Sequence, residues 1–593
     1  MLLLLVLVSI AVALFAVFPL TDTDIWWHLA CAREWVTTWT PVREPVVNVH
    51  EYFQQIVAFV YNIGGAPLLV SFKALLWGCV YALFLAPYVL YRQSKFAPSP
   101  LKVAVCVLLL YVFRYQFEIR PVLLSLIFLG IYWNVLPWLF YGWREDRKKD
   151  HSAEHYSAVR KSSRHVFSLA FHYMANTNKL LGALAILFIQ WFWCKSQGLY
   201  VLGVVFAYGF LLYGLWYRRW VEFGKVRKWN GVRIPLKSLA GQVLFVILLF
   251  FIPLLHRDGI DLIAYPFELL DRLLGLSPSA SVFASEIAEN RSPITLLLNG
   301  ENVLQSALML VLCVAGIILA MVRWYSLPAP YLSWQLSWQA SERIDAVFSR
   351  RIQPSWLLIT AVLALVAERN FVLFLPVFLA VAIVPLTPSR SSKTKEQISK
   401  KLLKEHHIER LKKLSSRLEL KNRLATNPLA SKFRQAPIVN SLLPSPYFLL
   451  STILVAFIFG FWVKSLMAYD SMVAYQRVPV AAAEWMKANP HSGRLFNDDR
   501  AGGYLAFVNP SDSTYIDGRF ILKTADFFEN YLSYAKMPRL FLADADSQNI
   551  DRVVLPLRYY ARWDNLIATL DSAENWHVAY QDPFFVVIDR TER

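Results

Sequence analysis

Eleven apolar blocks, each flanked by polar residues, run through this 593-residue chain. Blocks of that length fold as helices that bury themselves in lipid or in one another. They lie near residues 1–20, 66–91, 101–114, 121–141, 178–194, 198–217, 237–255, 303–322, 355–367, 370–387 and 446–468. With 56% hydrophobic residues so arranged, the chain reads as an α-helical polytopic membrane protein with about 11 transmembrane helices. Residues 52–64 read as a shorter, interfacial helix. The first block has neither a basic leader nor a clear small-residue cleavage site, so it is expected to be a retained helix.

Loop charge gives the expected sidedness. Segments 142–177, 218–236, 323–353 and 388–445 are rich in Lys and Arg, whereas 21–51 and 256–302 carry more acid than base. Eleven crossings place the basic loops and the N-terminus in the cytoplasm and everything after residue 468 outside. The net charge of +18 is explained by these loops, not by nucleic-acid binding. Within 388–445, apolar residues at helical spacing amid Lys and Arg fit either an amphipathic helix on anionic lipid or a solvated linker helix. The five cysteines show neither metal-ligand nor disulfide spacing.

Residues 1–468 thus form a membrane domain and 469–593 a small outer α/β domain. In the latter, VPVAAAEWMKANP reads as a helix, and RLFN, TYID, RVVLP, HVAYQ and FFVVID read as strands.

The polar stretch that matters most follows the first block. TDTDIWWHL, Thr21–Leu29, sets Asp22, Asp24 and His28 beside two tryptophans where a membrane helix ends. Such residues make either an interfacial belt with a solvated acidic loop or a site that pairs, binds metal or does chemistry. Other outer turns carry ionisable residues at similar depth: Glu118 and Arg120; Lys195; His256, Arg257 and Asp258; Glu286, Glu289 and Arg291; Glu368 and Arg369. Charges of both signs gathered on one face suggest a shared polar cavity. Carboxylates with Arg and Lys suit a phosphate-bearing substrate, and a free Asp can deprotonate an acceptor hydroxyl.

TDTDIWWHL resembles the first outer loop of GT-C type membrane glycosyltransferases, in particular a bacterial branch with a DxDxWWHL-like loop. RPVLLS at 120–125, WFWCKSQG at 191–198, ENRSP at 289–293, ERN at 368–370 and RLFNDDRAGGYL…YIDGR at 494–519 agree in order along nearly the whole chain. The resemblance implies a GT-C-like fold and transfer of a sugar from a polyprenyl-phosphate carrier to an acceptor glycan, lipid or protein on the outer face. It gives the role of base, or of ligand to a divalent cation (Mg or Mn), to Asp24, with Asp22 second and His28 beside them. Placement adds Arg120, Lys195, Arg257 and Arg369 as donor-phosphate contacts. The outer motif is loosely similar to the WWDYG-type segment of oligosaccharyltransferase catalytic subunits, which puts Asp498, Tyr504, Asp517 and Arg519 on the acceptor side. There, Asp498 and the glycines also fit a plain strand-to-helix turn, and Asp517 with Arg519 fits a loop-orienting ion pair. One departure is clear: the 191–198 turn more often reads WANxHGG in that branch, so the role given there to its His is not carried over. The resemblance implies a bacterial inner membrane with the C-terminal domain in the periplasm. Two alternatives use the same residues, namely a transporter or flippase for a lipid-linked or anionic solute and a non-catalytic envelope assembly protein.

Overall fold

The computed structural model describes residues 2–43, 47–90, 100–141, 179–223, 236–274, 276–277, 281–325, 352–383, 446–558 and 561–591. The 388–445 helix expected from sequence lies outside them. An apolar helix stands at each of the eleven expected places: Leu2–Phe15, Glu51–Leu90, Pro100–Val112, Val122–Tyr141, Lys179–Cys194, Val201–Phe223, Leu236–Phe251, Val303–Tyr325, Gln353–Val366, Phe371–Ile383 and Pro446–Met467.

Eleven full crossings do not follow from these lengths. Among the described residues, four helices are long and apolar enough to span a bilayer: Glu51–Pro87, Val122–Phe140, Val303–Trp324 and Phe448–Met467. A fifth arises if Ala240–Leu255 and Gly259–Asp271, bent by 107°, count as one span. Helices of 13–16 residues rise only about 20–24 Å, short of a hydrocarbon core about 30 Å thick. The four long helices make this an integral membrane protein.

The interfacial helix expected at 52–64 is joined to the span that follows. The break falls at Gly64 and Gly65, where Gly65 has φ +62°, a conformation L side chains rarely adopt. Small residues also bring helices together. At Gly78 an added Cβ would lie 3.1 Å from the Ser9 carbonyl oxygen of the first helix.

The C-terminal domain holds a four-stranded sheet of β1 (Arg494–Asn497), β2 (Ile550–Pro556), β3 (Trp576–Gln581) and β4 (Phe585–Arg590). The order is β1-β2-β4-β3, with β1 and β2 parallel and the other pairs antiparallel. The helix Val480–Ala488 and four of the five expected strands are present. TYID is not a strand of this sheet. Its Thr514 pairs instead with the first outer loop, donating its N–H to the Thr37 carbonyl and accepting from Trp39 N–H at 3.0 Å. Phe496, Tyr531, Phe541 and Trp563 fill the domain core. Val282 and Phe283 of the 256–302 loop join that core, with Phe283 stacked on Phe528 at 5.2 Å. The first outer loop, the 256–302 loop and the C-terminal domain are therefore one packed layer over one end of the helices.

Candidate functional site

Arg120 sits in the turn between Pro100–Val112 and Val122–Tyr141 and clamps two carboxylates from distant parts of the chain. Its Nε and Nη2 donate to Asp22 at 2.7 and 3.0 Å, and its Nη1 and Nη2 donate to Glu289 at 2.8 and 2.9 Å. A planar guanidinium alone offers donors in two such forks. The Asp22 side chain is 3% exposed, so this arm of the clamp is well desolvated. Burial by itself would raise the Glu289 carboxyl; the Arg120 charge outweighs it and holds the group at about 2.

Asp24 stands beside this clamp and outside it. It is the first residue of the helix Asp24–Cys31, and its N–H donates to Asp22 Oδ1 at 3.3 Å. Its carboxylate faces Gly518 of the outer domain so closely that an added Cβ there would overlap Oδ1. Burial, then the neighbouring Asp22 charge, push the Asp24 carboxyl up to about 7, against the pull of Arg120. Three carboxyls share one guanidinium here, and the one left out of the clamp holds its proton to near neutral pH.

The outer domain fixes the loop that carries Asp22 and Asp24. The Asp24–Cys31 helix crosses the outer-domain helix Asp499–Val508 at Gly503, where an added Cβ would sit 2.9 Å from Trp27 N. Trp26 meets Tyr504 edge-on at 4.8 Å. Further along, Arg519 is ion-paired with Asp517, donates to Thr37 Oγ1 at 2.6 Å and bonds the Trp35 carbonyl. Thr37 donates to Asp517 at 2.9 Å. Lys523 Nζ donates to Thr40 Oγ1 at 2.6 Å and to Thr38 Oγ1 and the Thr40 and Pro41 carbonyls at 3.1 Å. From below, fully buried Lys73 donates to the Phe18 carbonyl at 3.0 Å and lies 3.9 Å from Glu118 Oε2. Glu118 in turn accepts from Thr21 Oγ1. Lys73 thus braces the chain just past the end of the first helix, at Phe18, and the turn that carries Arg120, and Glu118 links that turn to Thr21 beside Asp22.

The remaining expected residues fall in four places. Arg369 is exposed at the edge of the clamp and donates to Asn290 Oδ1 at 2.9 Å, next to Glu289. Lys195 lies elsewhere, held by Asp258 at 2.5 Å and Glu51 at 3.3 Å, and Arg257 is exposed in the following turn. His28 is 2% exposed, on the inner face of its helix against His50 and Phe53. Its pKa falls well below the usual value, chiefly through burial, and His50 is likewise depressed to about 4. Both are neutral at pH 7. Asp498 caps Asp499–Val508, accepting from Arg500 N–H at 3.0 Å and Trp563 Nε1 at 2.7 Å.

Sequence reasoning assigned no role to Glu289, Lys73, His50 or Lys523. A lone Lys inside an apolar block was a usable signal for Lys73, since a buried ammonium must find a partner. Nothing in the sequence pairs Glu289 with Arg120 across 169 positions. As for a divalent cation, among the described residues no group of three His, Cys, Asp or Glu side chains is placed to hold one. The Asp22 oxygens are already committed to Arg120, so this donor set does not fit a metal as it stands.

No protein-family model matches this chain, and no curated protein matches it. Solved structures do. The archaeal oligosaccharyltransferase AglB from Archaeoglobus fulgidus, in complex with an inhibitory peptide and a dolichol-phosphate, is 12% identical, with 94% of this chain and 69% of that one covered at a TM-score of 0.45. The apo form of the Archaeoglobus fulgidus oligosaccharyltransferase is 13% identical, with 93% and 69% covered at a TM-score of 0.46.

Proposed function

We propose that this protein is an integral membrane glycosyltransferase that moves a sugar from a polyprenyl-phosphate donor to an acceptor hydroxyl on its outer face. One observation carries the reading: a half-buried Asp24, poised at about 7, stands beside the Arg120 clamp where the first outer loop meets the outer domain. A carboxyl so poised is suited to general-base work near neutral pH. Asp24 takes the proton from the acceptor hydroxyl as that oxygen attacks the anomeric carbon. The anomeric carbon–oxygen bond to phosphate breaks, and the polyprenyl phosphate leaves with the bond's electrons. Arg369, exposed at the clamp's edge with Nη1 on Asn290, meets the developing phosphate charge with its remaining donors, and Arg257 adds a second exposed cation. Arg120 holds Asp22 and Glu289 in place, and no step is routed through a metal. Eleven helices reaching across or into the bilayer, with the N-terminus cytoplasmic and the C-terminal domain periplasmic in a bacterial inner membrane, complete the reading. The acceptor is a glycan, lipid or protein.

The test is a transfer assay on purified protein in lipid with a panel of polyprenyl-phosphate sugars, wild type beside Asp24→Asn, with and without a chelator. Donor turnover that is lost in the variant and indifferent to chelation is expected. Turnover retained in Asp24→Asn would remove Asp24 from the chemistry. Turnover abolished by chelator alone would replace the base by a metal.

A further inference from the structure

A cavity of about 470 Å³ opens between the C-terminal end of the Asp24–Cys31 helix and the start of the Glu51–Leu90 helix. That volume falls in the usual range of ligand pockets, about 300–1,000 Å³. Seven residues at 1.5 Å each put it about 10 Å from Asp24 along the first-loop helix. It is not an apolar groove. Trp35, Asn48, Glu51, Gln55, Lys195 and Asp258 are among its lining residues.

The charges there are arranged against an anion. Lys195 is neutralised by Asp258 at 2.5 Å and Glu51 at 3.3 Å, so two carboxylates face one ammonium. Arg33 and Asp261 line the cavity as well, so a phosphate entering it would meet three carboxylates against two cations, while the exposed Arg369 lies at the edge of the Arg120 clamp. What the cavity offers is a dense set of fixed hydrogen-bond donors and acceptors. The Asn48 amide is oriented by Gln54, donating at 2.8 Å and accepting at 3.2 Å. The half-exposed Trp35 ring is steadied by the Arg519 guanidinium, 5.2 Å from its centre. Amides, ion-paired carboxylates and an indole together recognise a neutral polyhydroxylated ring. Vicinal hydroxyls both donate and accept, and the ring's C–H face packs on an aromatic.

We infer that this cavity is a sugar-binding subsite, separate from the place where the phosphate is held. The inference deepens the transferase reading and rests on it for the ligand's class. Two sources share that chemistry, the sugar of the lipid-linked donor and a sugar of a glycan acceptor.

Gln55 lines the cavity and is exposed, so Gln55→Cys reports its occupancy by labelling with a membrane-impermeant maleimide. The native background is low. Cys31 is buried, with burial pushing its thiol up to about 12, and Cys79 lies within a membrane-spanning helix. The probes are the methyl glycosides of glucose, galactose, mannose, arabinose and N-acetylglucosamine, an undecaprenyl-phosphate sugar, and undecaprenyl phosphate without sugar. Labelling slowed about fivefold by a sugar at about four times its Kd is expected. The same sugar is expected to protect poorly when Trp35→Ala is added. Protection by the lipid-linked sugar and not by free glycosides assigns the donor's sugar; protection by a free glycoside assigns the acceptor's. Protection by undecaprenyl phosphate alone overturns the inference, as does no protection by any sugar. Because labelling needs no turnover, the Asp24→Asn background separates the two ideas. Protection kept there without transfer upholds the subsite whatever becomes of the base, and transfer without protection sinks the subsite alone.

Discussion

Two side chains with opposite duties lie side by side, and their environments predict different mutational phenotypes. Asp24 is charged against its surroundings. Its carboxyl titrates at about 7 when folded and near the ordinary 3.9 when unfolded. Between these values the folded chain holds a proton that the unfolded chain has released, so stability falls as pH rises through that window. Asp24→Asn is neutral at every pH and removes this penalty. Thermal melts at pH 8 should show the variant at least as stable as wild type, while turnover falls by about 10²–10⁴, the usual worth of a general base. Turnover by wild type should climb with pH through about 7 and then level, since the base must be ionised. Arg120 behaves oppositely. Arg120→Met leaves Asp22 buried and unpaired, and discounting for the clamp's partial exposure the loss is about 2 kcal/mol in denaturant titrations. Arg120→Lys keeps the charge but cannot fork to both carboxylates, so it should recover stability in part and leave turnover low. Equal damage from Lys and Met would mean that the two-sided geometry is immaterial.

At the scale of elements, two glycines of the outer domain make contacts of different kinds with the first-loop helix. Gly503 meets the Trp27 backbone, which has nowhere to go, so Gly503→Ala should push two helices apart and cost about 1–3 kcal/mol in stability. Gly518 meets the Asp24 carboxylate, the end of a side chain that can turn away. Gly518→Ala should therefore melt close to wild type and still transfer poorly, a split that circular dichroism and a turnover assay would read. The elements themselves were largely legible. All eleven apolar helices, the Gly64–Gly65 break and four of five strands follow from periodicity and apolar runs alone. TYID was misread because an alternating apolar run states that a strand wants a partner without saying which. The partner is the first outer loop, nearly five hundred positions away. For the same reason sequence could gather Asp22, Asp24 and Arg120 on one face but could not join Glu289 to them, nor separate Lys195 from them. Ion-pair choice across a folded layer depends on ångström distances that loop spacing does not encode.

For the whole molecule, the packing of loop 21–43 against residues 494–523 makes sidedness a single question. Thr37–Thr514 pairing, the Lys523 contacts and the Leu20–Val473 bridge fix the first outer loop, the end of the last long helix and the outer domain at one end of the bundle. An even number of crossings must then separate residue 20 from residue 468. The ten apolar helices between and including Glu51–Leu90 and Pro446–Met467 supply that parity if each crosses, whereas the four that pass on length and composition also give an even number. Parity therefore does not choose between the counts, and neither does the basic 388–445 loop. If all ten cross, Ser399 of the 388–445 loop faces away from the outer domain, with the cytoplasm on its side by the positive-inside rule. If only the four cross, it follows the third and precedes the fourth, and faces the same way. The segment after residue 200 discriminates: with ten crossings the 195–200 turn lies with the outer domain, as its Tyr52–Lys195 contact requires, but with four crossings two long spans precede it and the 218–236 segment stays on that side too. Single cysteines at Glu34, Ser511, Ser399 and Lys228 labelled with an impermeant maleimide in spheroplasts should divide accordingly. Glu34→Cys and Ser511→Cys, both exposed in the outer layer, should react in intact spheroplasts. Ser399→Cys and Lys228→Cys should react only after permeabilisation. Reaction of Lys228→Cys from outside would leave the short helices as half-crossings that dip in and return, and would carry the basic 218–236 segment to the face proposed to hold the phosphate.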